Sequence, residues 1–128
     1  KKELLPFIKY FKTDAAEAEI LTGLSNREDA ARLLNRWGSE EVMLTHNTEV
    51  MVCAQGEIYT APYTHRTNEG RTGRGDTTFA AYLAWRKDHS VKEATAYAAA
   101  LCSMKMEVPG PFKGSLDDVL KRMKEDAR

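Results

Sequence analysis

The stretch Asn68–Arg86, "NEGRTGRGDTTFAAYLAWR", decides how this chain is read. Gly70, Gly73 and Gly75, with Arg71 and Arg74 between them, lead to Asp76, after which Phe79, Tyr82, Leu83 and Arg86 fall on one side of a helix. A glycine-rich loop that opens into a helix aims bare backbone N–H groups, and the positive end of the helix dipole, at an anion. Gly73-Arg74-Gly75-Asp76 permits that arrangement, although no Gly-Lys-Ser/Thr closes it as a Walker loop and the third glycine of a dinucleotide fingerprint is missing. Asp76 has two readings. It caps the helix, its carboxylate turned back on the backbone, with the glycines supplying positive φ. Alternatively it points outward as the carboxylate that orients and deprotonates a hydroxyl in phosphoryl transfer, leaving the N–H groups free as an anion hole and the cap to Thr77 or Thr78. Spacing alone leaves both open.

Upstream of this stretch the pattern alternates strand and helix. Leu4–Phe11 is short, apolar and aromatic, which predicts a strand with Pro6 at its start or edge. Asp14-Ala15-Ala16-Glu17 has the form of a capping box and Gly23 marks the end of that helix; Ser25-Asn26-Arg27-Glu28 repeats the signal. Ala30, Leu33, Leu34 and Trp37 then share one face up to Gly38. Val42–Thr45, Val50–Ala54 and Glu57–Ala61 predict three strands, the last two a hairpin through Gln55-Gly56, in a mixed sheet. Pro62–Gly75 has no sustained period and reads as a long loop.

Downstream, Val91, Ala94, Thr95, Ala98, Leu101 and Cys102 make the apolar face of another helix, and the prolines and glycines of Met106–Gly114 stop it. A last helix is predicted behind Ser115 and Asp118, with Leu116, Val119, Leu120 and Met123 inward and Lys121, Arg122, Lys124 and Glu125 in solvent. The whole reads as one α/β domain over residues 1–128 with a helix-rich second half.

Composition narrows the classes of function. A chain of 128 residues with 42% hydrophobic side chains can bury a core without disulfide staples. Lys plus Arg (19) balance Asp plus Glu (19), so no global charge favours nucleic acid or an anionic membrane. Cys53 and Cys102 lie in apolar surroundings without ligand spacing, as buried thiols of a reducing compartment, and His46, His65 and His89 show no metal spacing. No run approaches the roughly 18 apolar residues of a membrane span and no signal segment opens the chain, so a cytoplasmic location is expected. A first residue of lysine, followed almost at once by a strand-like run, suggests a chain continuing from something before it.

Several segments in order carry a family resemblance. Gly70–Thr77 followed by a small-residue helix resembles the second signature of the ribokinase (PfkB) family of sugar and nucleoside kinases, usually written D-T-x-G-A-G-D. "FKTDAAEAEILTG" resembles that family's K-P-N-x-x-E element, "EVMLTHNTEV" its strand ending in T-x-G, and "ATAYAAALCSMKMEVPG" its alanine-rich helix and glycine turn near the adenine. The fold implied is the C-terminal part of a ribokinase-like, mixed-sheet three-layer αβα sandwich. The family's substrate half and lid lie before the matched region and have no counterpart here; by itself such a part is expected to bind nucleotide weakly and to be inactive.

The resemblance implies ATP-dependent transfer of the γ-phosphoryl group to a hydroxyl of a sugar or related polyol. Asp76 is then the general base and Gly73, Arg74 and Gly75 supply the anion hole. Thr45, Asn47 and Thr72 stand by the phosphates or ribose, and Ala99, Cys102 and Met106 by the adenine, where residues on a helix face also read as plain core. Asp14, in place of the family's asparagine, and Glu17 correspond to the element that organises Mg2+ and its waters, a role that the capping box does not exclude. ATP and a sugar or polyol are the implied partners, with neither nucleic acid nor membrane, and a homodimer of the full-length protein is among the arrangements allowed. A non-catalytic nucleotide-binding or regulatory module derived from such a kinase is the alternative. Three positions depart from the family: Gly70 replaces an aspartate that some members use for a monovalent cation, Asn47 replaces the glycine of T-x-G, and Arg74 replaces alanine. A guanidinium in an anion loop offers charge and two forked donors to phosphate. Arg74→Ala is accordingly expected to lower donor affinity or turnover about tenfold in steady-state assays; unchanged values for both would remove Arg74 from the site.

Overall fold

Residues 2–64, 74–107 and 114–126 are described by the structure, a computed structural model, and they divide into two compact units, Lys1–Thr60 and Ala61–Arg128. In the first unit β1 (Tyr10–Asp14) runs parallel to β2 (Glu41–Thr45), and β2 antiparallel to β3 (Glu49–Ala54). β4 (Glu57–Pro62), which continues into the second unit, completes a mixed sheet of order β1-β2-β3-β4. Parallel neighbours cannot be joined by a tight turn. The crossover here is α1 (Ala15–Thr22) and α2 (Arg27–Arg36).

Local chemistry sets the ends of these elements. Asp14 and Glu17 form the predicted capping box, and Gly23, at φ 76°, closes α1 with its N–H on Glu19 O at 2.7 Å. The cap of α2 is Asn26, whose Oδ1 accepts the Asp29 N–H at 3.0 Å, rather than Ser25. Gln55 and Gly56 both have positive φ, 53° and 79°, as a type I′ hairpin demands. Asn35 ties α2 to both sides of the sheet: Oδ1 accepts the Gly56 N–H at 3.0 Å, and Nδ2 donates to Ser39 O at 2.8 Å. Below α1 and α2 the core takes alternate sheet residues, Val42, Leu44, Met51 and Cys53, against Ala18, Ala30, Ala31 and Leu34.

The opening segment departs from expectation. Lys2–Phe7 is a 3-10 helix and the strand begins only at Tyr10. Of its apolar side chains only Leu5 is buried, while Leu4 and Phe7 are 58% and 84% exposed. The segment is held as a turn: Ser39 Oγ donates to Leu5 O at 3.1 Å, and Pro6 lies so close to Gly38 that a Cβ there would come within 2.7 Å of Pro6 Cα.

In the second unit α3 (Arg74–Arg86) and α4 (Val91–Met106) form a helical hairpin, followed by α5 (Leu116–Asp126). Trp85 stacks between Tyr97 at 4.2 Å and His89 at 4.0 Å. Ser90 with Glu93, and Ser115 with Asp118, cap α4 and α5 reciprocally, and the Ser90 and Ser115 N–H groups hold those two carboxyls below the ordinary range. The predicted inward face of α5 needs correction: Val119 is buried, but Leu116 is exposed and Arg122 is buried. Both cysteines are buried and neither is in a disulfide, and among the described residues no helix is long and apolar enough to cross a membrane.

Gly38 combines a φ of 130° with that contact to Pro6, whereas Gly23, at 76°, faces open space. Gly38→Ala is therefore expected to cost about 2–4 kcal/mol in denaturant unfolding, and Gly23→Ala about 1 kcal/mol. Equal costs would show that the Pro6 contact does not constrain Gly38.

Candidate functional site

Each unit carries part of the predicted constellation. In the first, Asp14 is the last residue of β1 and pairs in register with Thr45, the last residue of β2. Because the two strands are parallel, their carboxyl ends share one edge of the sheet, where open α/β sheets bind ligands. Asn47 follows at once, in the turn between β2 and β3. α1 starts from Asp14, so its first N–H groups open at the same edge.

The fit of Asp14 and Glu17 to Mg2+ can be judged from their hydrogen bonds. Asp14 Oδ1 accepts the Glu17 N–H at 2.8 Å and Glu17 Oε1 accepts the Asp14 N–H at 3.3 Å. The capping box therefore employs one oxygen of each exposed carboxylate and leaves Oδ2 and Oε2 outside it. No cluster of three or more His, Cys, Asp or Glu side chains occurs among the described residues. That donor set suits an ion retaining its water shell rather than one enclosed by protein, and Mg2+ dehydrates reluctantly. Capping and holding a hydrated cation are compatible.

In the second unit the helix expected after the long loop starts at Arg74, so Gly75 and the exposed Asp76 belong to its first turn. This differs from a cap, which precedes its helix. α1, α2, α4 and α5 each begin behind a side chain that accepts a backbone N–H, from Asp14, Asn26, Ser90 and Ser115. Gly73, the residue before α3, has no side chain to offer. Thr72 and Gly73 lie outside the described residues, as do Arg71 and the Arg74 side chain. Thr78 is wholly buried, and its hydroxyl shares a hydrogen bond of 3.0 Å with the Tyr63 phenol. On α4, Ala99, Cys102 and Met106 are 2%, 0% and 1% exposed. Side chains so buried pack the unit and present no surface to a base.

A polar cluster that spacing did not single out closes this unit. Thr64 N–H donates to Ser103 Oγ on α4 at 2.8 Å, and Thr64 O accepts from Arg122 Nη2 on α5 at 2.6 Å. Arg122 also grips Glu107 with both Nη atoms, at 3.1 and 2.8 Å, and reaches Asp126 through Nε at 3.3 Å. The Glu107 hydrogen bonds hold the guanidinium above even its ordinary high pKa. The helical period offered a clue, since 115, 119, 122 and 126 share one stripe of α5, but charge argued for solvent.

No family model matches the chain, and no curated protein does. Solved structures do match. A pyrophosphate-dependent kinase in the ribokinase family, solved with a pyrophosphate analog and myo-inositol, is 36% identical, with a TM-score of 0.83 over 94% of this chain and 43% of its own. A pyrophosphate-dependent myo-inositol-1 kinase, converted by mutation into a myo-inositol-3 kinase, is 35% identical, with a TM-score of 0.84 over 98% of this chain and 44% of its own. The Arabidopsis thaliana ribokinase, solved with ribose and ATP, is 26% identical, with a TM-score of 0.83 over 97% and 43%. The chain thus spans less than half the length of these proteins.

Capping and cation binding separate in one variant. Asp14→Asn keeps an acceptor oxygen for the Glu17 N–H, so stability should stay within about 0.5 kcal/mol, whereas Asp14→Ala loses about 1 kcal/mol. Glu17→Gln likewise keeps an oxygen for the Asp14 N–H while removing a charge; if Glu17 helps to hold hydrated Mg2+, this variant raises the Mg2+ concentration needed for half-maximal activity, and an unchanged requirement leaves Glu17 a capping partner only.

Proposed function

The chain is ribokinase-like in fold, an α/β sandwich fragment, and from that premise we propose that it carries the phosphoryl-donor site and the base of a kinase acting on a hydroxyl of a sugar or related polyol. One observation carries the proposal. An exposed carboxylate, Asp76, sits in the first turn of α3, the helix that follows a glycine-rich segment and has glycine where the other helices have a capping side chain. The backbone N–H groups and dipole of a helix start suit a polyphosphate, and a carboxylate beside them suits a hydroxyl nucleophile.

In this reading the acceptor hydroxyl gives its proton to Asp76 as its oxygen attacks the terminal phosphorus of the donor. The bond from that phosphorus to the bridging oxygen breaks, and the leaving phosphate carries off the electron pair. The N–H groups of Gly73, Arg74 and Gly75 stabilise charge on the transferring group. Mg2+, when bound, supplies countercharge to the donor phosphates, and Asp14 and Glu17 are the residues that would hold it through its waters. The acceptor pocket belongs to the part of the relatives that this chain does not span.

ATP is one donor. Pyrophosphate is a second reading with its own support: the two neighbours at 36% and 35% identity are pyrophosphate-dependent, while the ribokinase solved with ATP is 26% identical. The burial of Ala99, Cys102 and Met106 agrees with it, because pyrophosphate has no base to seat. One of those neighbours is a myo-inositol-1 kinase and the other was solved with myo-inositol, which adds a cyclic polyol to the acceptors to try.

The test is phosphoryl transfer by the full-length protein, acceptor half included, from ATP and from pyrophosphate to a panel of sugars and polyols, with Asp76→Asn as control. Asp76→Asn is expected to lower kcat about 10²- to 10⁴-fold. Full turnover in that variant would sink the assigned base, and no transfer from either donor would favour the non-catalytic module.

A further inference from the structure

Arg122 lies on α5, far in sequence from Asp76, yet a continuous set of bonds connects it to the helix that carries the proposed base. Its guanidinium donates to Thr64 O at 2.6 Å, and Thr64 Oγ1 donates to Asp126 Oδ2 at 2.6 Å. With the Ser103 Oγ bond to its N–H, Thr64 is fixed at both backbone polar atoms and through its side chain. Tyr63 is the preceding residue, and its phenol meets Thr78, two residues after Asp76 on α3. Tyr63 and Thr78 are both buried, so this bond forms in a setting where an unmade partner is costly.

We infer that Arg122 is a positioning residue for the first turn of α3, acting through Thr64 and the Tyr63–Thr78 bond to fix where Asp76 stands. The inference rests on the kinase reading for its catalytic consequence and on geometry alone for its structural one. An arginine suits the task because its planar fork holds Glu107 with two nitrogens while Nη2 also reaches Thr64 O. A lysine keeps the charge without the fork. Tyr63→Phe removes one hydroxyl from the strap and keeps the ring, and Thr78→Ser keeps the hydroxyl that Thr78→Val loses.

Two measurements decide it. In steady-state assays with the better donor, Arg122→Lys, Tyr63→Phe and Thr78→Val are expected to lower kcat about tenfold or more with the acceptor KM within about twofold, and Thr78→Ser to restore kcat. In hydrogen exchange, the amides of Thr78 to Ala81 should exchange about tenfold faster in Tyr63→Phe and Arg122→Lys while those of β2 stay unchanged. If kcat and exchange in Tyr63→Phe both match the parent protein, the inference is overturned, and that holds even if Arg122→Lys fails to fold. If the parent protein transfers phosphoryl from neither ATP nor pyrophosphate, the kinase reading fails, and faster or unchanged exchange at Thr78 to Ala81 still decides whether the strap holds α3.

Discussion

The parallel pairing of β1 with β2 is the constraint on which the first unit depends. Two strands running the same way require a crossover, and α1 and α2 supply it while covering Val42, Leu44, Met51 and Cys53. A slip of one residue in β2 or β3 would take Val42 and Leu44, or Met51 and Cys53, away from the α1 and α2 side chains they pack against, so that packing holds the register. The locked register places Asp14 beside Thr45, with the start of α1 at the same edge. Packing thus sets the place of an exposed carboxylate, Asp14, beside the buried Thr45.

Helix starts impose the second constraint. The first N–H groups of any helix need acceptors. At four helix starts the acceptor is a local side chain, reciprocally so for Asp14 with Glu17, Ser90 with Glu93 and Ser115 with Asp118, and one-way for Asn26. Before α3 stands Gly73, which has no side chain to offer, so an acceptor of another kind fits there. An oxyanion is such an acceptor. Asp76, in the first turn, then complements the dipole.

Some of these features are legible in the sequence because each is decided within a few residues: the capping box of α1, the cap of α5 and the Gln55-Gly56 turn follow from neighbouring side chains. Lys2–Phe7 was misread for lack of such a signal. An apolar run of that length fits a strand or a turn equally, and what settles it is Gly38 and Ser39, more than 30 residues on. The candidate site divides the same way. Asp14, Glu17, Thr45 and Asp76 are proposed from motifs, whereas the burial of Ala99, Cys102 and Met106 depends on how α4 packs, and that of Arg122 on Thr64 and Glu107.

Arg122 also shows what a buried charge is for. Removing a guanidinium from water costs several kcal/mol, and an apolar side chain on the same stripe of α5 would avoid that cost. Glu107 and Asp126 offset it, at 2.8 and 3.3 Å, but offsetting a penalty adds little net stability. What an apolar residue cannot do is bond a carbonyl. By meeting Thr64 O, Arg122 fixes one backbone position at the end of β4, and Tyr63 carries that position to α3. Its presence is better explained by the place it specifies than by the energy it contributes.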